Sequence, residues 1–164
     1  MKTKYFNSIL VFIPLVLVQI TLVRFISWNA IGPNLILIPL VFFTISNNQL
    51  FGTILGFSYG LLLDLFSGGL LGSAMLSFTV SGFIAGYFSN ENKRHIYYKP
   101  LNFSFIVLLC SIISSIMFSF FTTIDFSRNL FTSIFDEGLL PGFYTSIIAL
   151  IFIYFYPRRK LIEN

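Results

Sequence analysis

The apolar block from Leu101 to Ile124 contains no charged side chain and is long enough to cross a bilayer, for which about 20 residues suffice. Such a block belongs either in the core of a large soluble protein or in lipid. The length and charge of the chain decide between them. It has 164 residues, of which 10% are charged and 56% hydrophobic, with a mean hydropathy of +0.87. A soluble domain typically carries about 25% charge. Ten basic and six acidic residues cannot cover a soluble particle built mainly from Phe, Leu and Ile. Lipid therefore serves as the solvent for much of the surface, and apolar runs read as helices that satisfy their own backbone hydrogen bonds. A transmembrane β-barrel would alternate apolar and polar residues over segments of about 10. The blocks here do not alternate.

The fold class expected is thus all-α: one integral membrane domain over 1–164, a polytopic bundle of about six transmembrane helices. The first, 5–23, follows Lys2 and Lys4 and contains Pro14. It lacks a small-x-small cleavage site and reads as a retained helix rather than a signal peptide. Trp28 sits in an interfacial connection, as tryptophan favours the headgroup region. Pro33 is expected to open the second helix, 34–49, since proline suits a first turn. That helix is short and contains Pro39. The third and fourth, 50–66 and 70–88, flank a Ser67-Gly68-Gly69 turn. The fifth and sixth cover 101–124 and 139–156.

Charge tests this count. With a cytoplasmic N-terminus and six crossings, Lys2, Lys4, Lys93, Arg94, Lys99, Arg158, Arg159 and Lys160 all fall inside, and Arg24 and Arg128 outside. This agrees with the positive-inside rule. Both termini are then cytoplasmic. The rule requires an odd number of crossings over the first three segments, so the second is expected to span. Basic residues at helix ends, not in a patch, argue against nucleic acid as a partner.

The most unusual pattern lies in the third segment. Gly52, Gly56, Gly60 and Asp64 recur at intervals of four, which places them on one helix face. The fourth segment offers Ser73, Ala74, Ser77, Ser81, Gly82, Ala85 and Gly86. Small residues let helices approach closely in lipid. The two faces either pack together as a tight hairpin or form a groove for a partner helix or small ligand. Asp64 is the acidic residue inside an apolar block, about 21 Å along the helix from Leu50 at ~1.5 Å per residue, hence near its outer end. It either braces the following turn or pairs with Arg24, which the topology puts at the same end.

Other features carry less. His95 reads as a solvated loop residue and Cys110 as a small buried hydrophobe. Lys93, Arg94 and Lys99 set topology and can meet anionic lipid or a cytoplasmic partner. Asp136 and Glu137 read as a solvated outer loop. No nucleophile–base set, metal-ligand spacing or phosphate loop is present, so neither an enzyme nor a cofactor is expected.

The stretch from Gly56 to Gly72 resembles the signature of the rod shape-determining protein MreD family: Gly-x-x-x-Gly-Leu-x-x-Asp, a small-residue turn and a further glycine. Gly56, Gly60, Leu61, Asp64 and Gly72 occupy those positions, and Pro33 fits the family's second helix. The resemblance implies a non-enzymatic subunit of the bacterial elongation machinery in the cytoplasmic membrane. It implies work with MreC, MreB, RodA and a class B penicillin-binding protein in wall synthesis. The family is similar in architecture to the substrate-binding S-components of energy-coupling-factor transporters. That gives an alternative function, with Arg24, Trp28 and Asp64 as candidate ligand groups. The first segment lacks the pair of alanines four apart that such subunits use for docking, which counts against it. A channel or proton relay would want more intramembrane ionisable residues than Asp64.

Overall fold

The computed structural model describes residues 12, 14–19, 21, 32–68, 70–122 and 139–155, and the regular structure among them is helical. Helix α1 is Leu37–Ser46, α2 Gln49–Ser67 and α3 Ser73–Ala85. A 3-10 turn extends α3 over Gly86–Phe88. Another at Glu91–Lys93 leads into the short α4, Arg94–Tyr97. Helix α5 is Pro100–Thr122 and α6 is Leu140–Phe155. The described part of the first segment is also helical.

Two of these helices, α2 and α5, are long and apolar enough to cross a membrane, while α1, α3 with its extension and α6 are shorter apolar helices. The second segment departs most from expectation. Its helix spans Leu37–Ser46, ten residues, or about 15 Å at ~1.5 Å each. That is half of a hydrocarbon core about 30 Å thick, so α1 alone does not cross it. Pro33 does not open the helix. It lies in the non-helical stretch ahead of α1, and Pro39 occupies the first turn of α1 instead. A first turn tolerates proline because its N–H groups have no partner within the helix.

Helix α1 is the hub. Eight of its ten residues are buried, and it contributes to two apolar clusters. One joins Ile38, Val41, Phe42 and Ile45 to Phe103, Val107 and Ile153 of α5 and α6. The other joins Leu37 and Leu40 to Phe12 and Val16 of the first segment and to Leu55 and Tyr59 of α2. Phe12 stacks on Tyr59 with ring centroids 4.1 Å apart.

Side chains from elsewhere satisfy the non-helical backbone ahead of α1. Gln19 Nε2 donates to the Pro33 carbonyl at 3.0 Å, and Leu35 N–H donates to Gln19 Oε1 at 2.8 Å. Asn34 N–H donates to Thr145 Oγ1 of α6 at 2.9 Å. Irregular backbone inside a membrane protein survives only where such partners replace water.

The polar stretch after α3 is not a simple loop. Tyr98 is buried and its hydroxyl donates to the Phe42 carbonyl at 3.1 Å, with Ser46 Oγ at 2.5 Å. The last turn of α1 is thereby tied to the entry of α5. Tyr98→Phe is expected to lower stability by about 1 kcal/mol, the usual net worth of one such bond. Thermal unfolding in mild detergent reads this as a lower midpoint; an unchanged midpoint means that the tie carries nothing.

Candidate functional site

The site is built on the α2–α3 hairpin, the most extensive helix contact in the described structure. Asn48 starts α2 by accepting from the Phe51 N–H through its side chain at 2.8 Å, an N-cap that satisfies one of the free donors of the first turn. Gly68 ends it at φ 64°, a left-handed C-cap suited to glycine. Gly72 precedes α3 at φ 105°, again a conformation open to glycine and strained for other residues.

Between these ends the glycines of the two helices face each other. A Cβ on Gly52 would come within 3.0 Å of Thr44 and of the Gly82 carbonyl. One on Gly56 would strike the Phe78 backbone, and one on Gly60 the backbone of Ala74 and Met75. One on Gly82 would meet the Gly52 carbonyl, and one on Gly86 would meet Gln49. The glycine face of α2 is therefore filled by α3 and by Thr44 of α1. No room remains along it for a helix from another protein.

Asp64 sits on the same face, one turn beyond Gly60, and is 3% exposed. Its carboxylate caps α3 from the neighbouring helix. Gly72 N–H donates to Oδ2 at 2.8 Å, Met75 N–H to Oδ2 at 3.2 Å and Ala74 N–H to Oδ1 at 3.2 Å. Gly72 brings no side chain to this position, so the capping oxygen has to come from outside the turn. A negative group at the positive end of a helix dipole is favoured as well. The arrangement is structural: it closes the hairpin and presents no reacting group. Arg24, the ion-pair partner expected for Asp64, lies outside the described residues, as do Trp28, Arg128, Asp136 and Glu137.

The remaining residues of the motif take distinct places. Leu61 is on the outward face of α2, together with exposed Ile54, Phe57 and Leu65. Pro33 lends its carbonyl to Gln19. Cys110 is a buried free thiol against the Ser81 carbonyl, and Ser81 Oγ donates back to the Cys110 carbonyl at 3.1 Å. Ser104 Oγ donates to the Ser146 carbonyl at 2.7 Å, joining α5 to α6. Sequence reasoning overlooked Gln19, Tyr98 and Thr145. Each is a polar side chain within or beside an apolar run, and that was the signal available. Exposed Lys93, His95 and Lys99 lie together around α4. Among the described residues no group of acidic, His and Cys side chains could hold a metal.

Against known protein families, residues 2–160 match the MreD family, described as rod shape-determining protein MreD. The chain belongs to the MreD family. Within the Gly56–Gly72 stretch, the glycines of α2 set its approach to α3, and Asp64 and Gly72 form the joint between them. MreD proteins are membrane proteins of the shape-determining system, and the two apolar helices of spanning length accord with that setting. No curated protein and no solved structure matches the chain.

Two substitutions test the joint. Asp64→Ala leaves three backbone donors without their acceptor. It is expected to lower stability by about 3 kcal/mol, since each buried unsatisfied group costs roughly 1–3 kcal/mol. Asp64→Asn keeps one acceptor oxygen and should fall between. Gly56→Ala forces the helices apart against backbone, for about 1–3 kcal/mol. Thermal melts of the three variants should rank Asp64→Ala below Asp64→Asn, and both Asp64→Ala and Gly56→Ala below the parent. Parent-like melts would remove the hairpin joint from the account.

Proposed function

We propose that the chain is a non-enzymatic scaffold subunit of the bacterial cell-elongation machinery, supporting rod shape and peptidoglycan synthesis from the cytoplasmic membrane. The family match over residues 2–160 carries this reading. The division of the helix surfaces supports it. Small residues are used up inside the hairpin. Broad apolar faces on α2 and α5, with Ile54, Phe57, Leu65, Leu101 and Phe105, point outward, where lipid or the membrane helices of partners can lie. The partners are MreC and, directly or through it, MreB, RodA and the class B penicillin-binding protein.

The topology proposed has six crossings with both termini inside. The non-helical stretch before α1 supplements the short helix in the second crossing. The basic residues near α4 then face the cytoplasm, in keeping with the positive-inside rule. A single cysteine in place of Lys93, in a Cys110→Ser background, should react with an impermeant maleimide only after the membrane is opened. Labelling in intact spheroplasts would reverse the orientation.

Co-purification of the tagged chain from gently solubilised native membranes tests the function. Recovery of MreC with RodA or the penicillin-binding protein is the outcome expected. Recovery of a membrane coupling subunit with ATPases would overturn it in favour of a transport subunit.

A further inference from the structure

Residues 89–99 join the 3-10 end of α3 to α5 and carry Lys93, Arg94, His95 and Lys99 against one acid, Glu91. Their winding is nearly continuous. Lys93 N–H donates to the Asn90 carbonyl, Tyr98 N–H to Arg94 and Lys99 N–H to Ile96. Asn102 Nδ2 of α5 donates to the Ile96 carbonyl at 3.0 Å, which closes the segment onto the helix that follows. On the inner side, Tyr98 is bonded to α1 through the Phe42 carbonyl, and Tyr97 meets Phe88 edge-on with ring centroids 5.6 Å apart. Lys93, His95 and Lys99 are exposed. The segment is thus a basic platform held against the ends of α1, α3 and α5. Its charges are unbalanced: among the described residues no carboxylate pairs with Lys93, Arg94 or Lys99. Arg94 is half-buried, with its Nε enclosed and without a hydrogen-bond partner.

We propose that this platform binds the headgroup of an anionic phospholipid, of the phosphatidylglycerol kind, from the leaflet on its own side of the membrane. Charge and depth both favour that occupant. A cation partly withdrawn from water is costly without an anion nearby. The guanidinium charge of Arg94 is delocalised, so a phosphate beside the platform balances it without touching Nε. The headgroup layer on each side of a bilayer is only about 5–7 Å thick, from a core of ~30 Å within about 40–45 Å overall. A segment that stays on the helix ends, next to exposed Tyr87, lies at that level, where tyrosine is favoured. An acidic protein would have to enter this layer, whereas anionic lipid already occupies it. Each Lys or Arg near an anionic membrane surface strengthens the attraction about fivefold. The proposal depends on the membrane setting of the family and is independent of the scaffold role and of which side faces the cytoplasm.

The test uses the full chain in mild detergent with equimolar phosphatidylglycerol and phosphatidylcholine, and native mass spectrometry counts the lipids retained. The parent is expected to favour phosphatidylglycerol. Lys93→Gln together with Lys99→Gln should lower that preference about tenfold. Both side chains are exposed, so the thermal midpoint of this variant in phosphatidylcholine alone should match the parent's. Arg94→Lys keeps the charge and should keep most of the preference. Lys2→Gln with Lys4→Gln removes the same net charge elsewhere and should leave the preference in place; an equal loss in the two pairs would reduce the effect to net charge and overturn the platform. Equal retention of the two lipids by the parent would overturn the proposal outright. Displacement of the retained phosphatidylglycerol by an equimolar glutamate-rich peptide would assign the platform to an acidic protein segment instead.

Discussion

Three backbone N–H groups at the start of α3 depend on one carboxylate carried by α2. In water a helix start can be left to the solvent. In a membrane bundle it has to be closed by protein, because an open donor in hydrocarbon costs several kcal/mol. Asp64 does this from the preceding helix, and so ties a local need of α3 to the relative position of two helices. The glycines at Gly52, Gly56 and Gly60 then follow of necessity. A carboxylate this short reaches the end of its neighbour only if the two backbones run almost in contact, and any side chain on that face would hold them apart.

The rest of the bundle applies the same rule at other joints. Gln19 and Thr145 serve the non-helical backbone before α1, Tyr98 serves the end of α1, and Ser104 links α5 to α6. Each joins elements distant in sequence through a side chain and a backbone group. Hydrocarbon outside gives helices no hydrophobic reason to associate, so close packing and these polar contacts hold the bundle together.

Much of this was legible beforehand. Helices expected over 50–66 and 101–124 run from Gln49 to Ser67 and from Pro100 to Thr122, because long apolar runs between polar ends leave little freedom. The interval-four glycines announced a close face, and Asp64 read as a carboxylate that braces the following turn or pairs with Arg24; its burial was not foreseen. The sequence did not reveal what would occupy that face, since small-residue stripes look alike whether they meet a neighbour in the chain or a foreign helix. It also misled at the second segment. Pro33 and Pro39 are both compatible with a first turn, and only the bonds from Gln19 and Thr145 fix the choice. Those partners lie 14 to 111 residues away, beyond any local rule.

The burial of α1 has a consequence for how the molecule is made. A ten-residue helix with eight residues enclosed by protein presents neither the length nor the surface by which a nascent segment settles in a bilayer alone. Its neighbours in the bundle include α5 and α6, which leave the ribosome much later. The contacts of the second segment with α5 and α6 can form only once the C-terminal half has been made, so part of the packing of this early segment waits for the end of the chain.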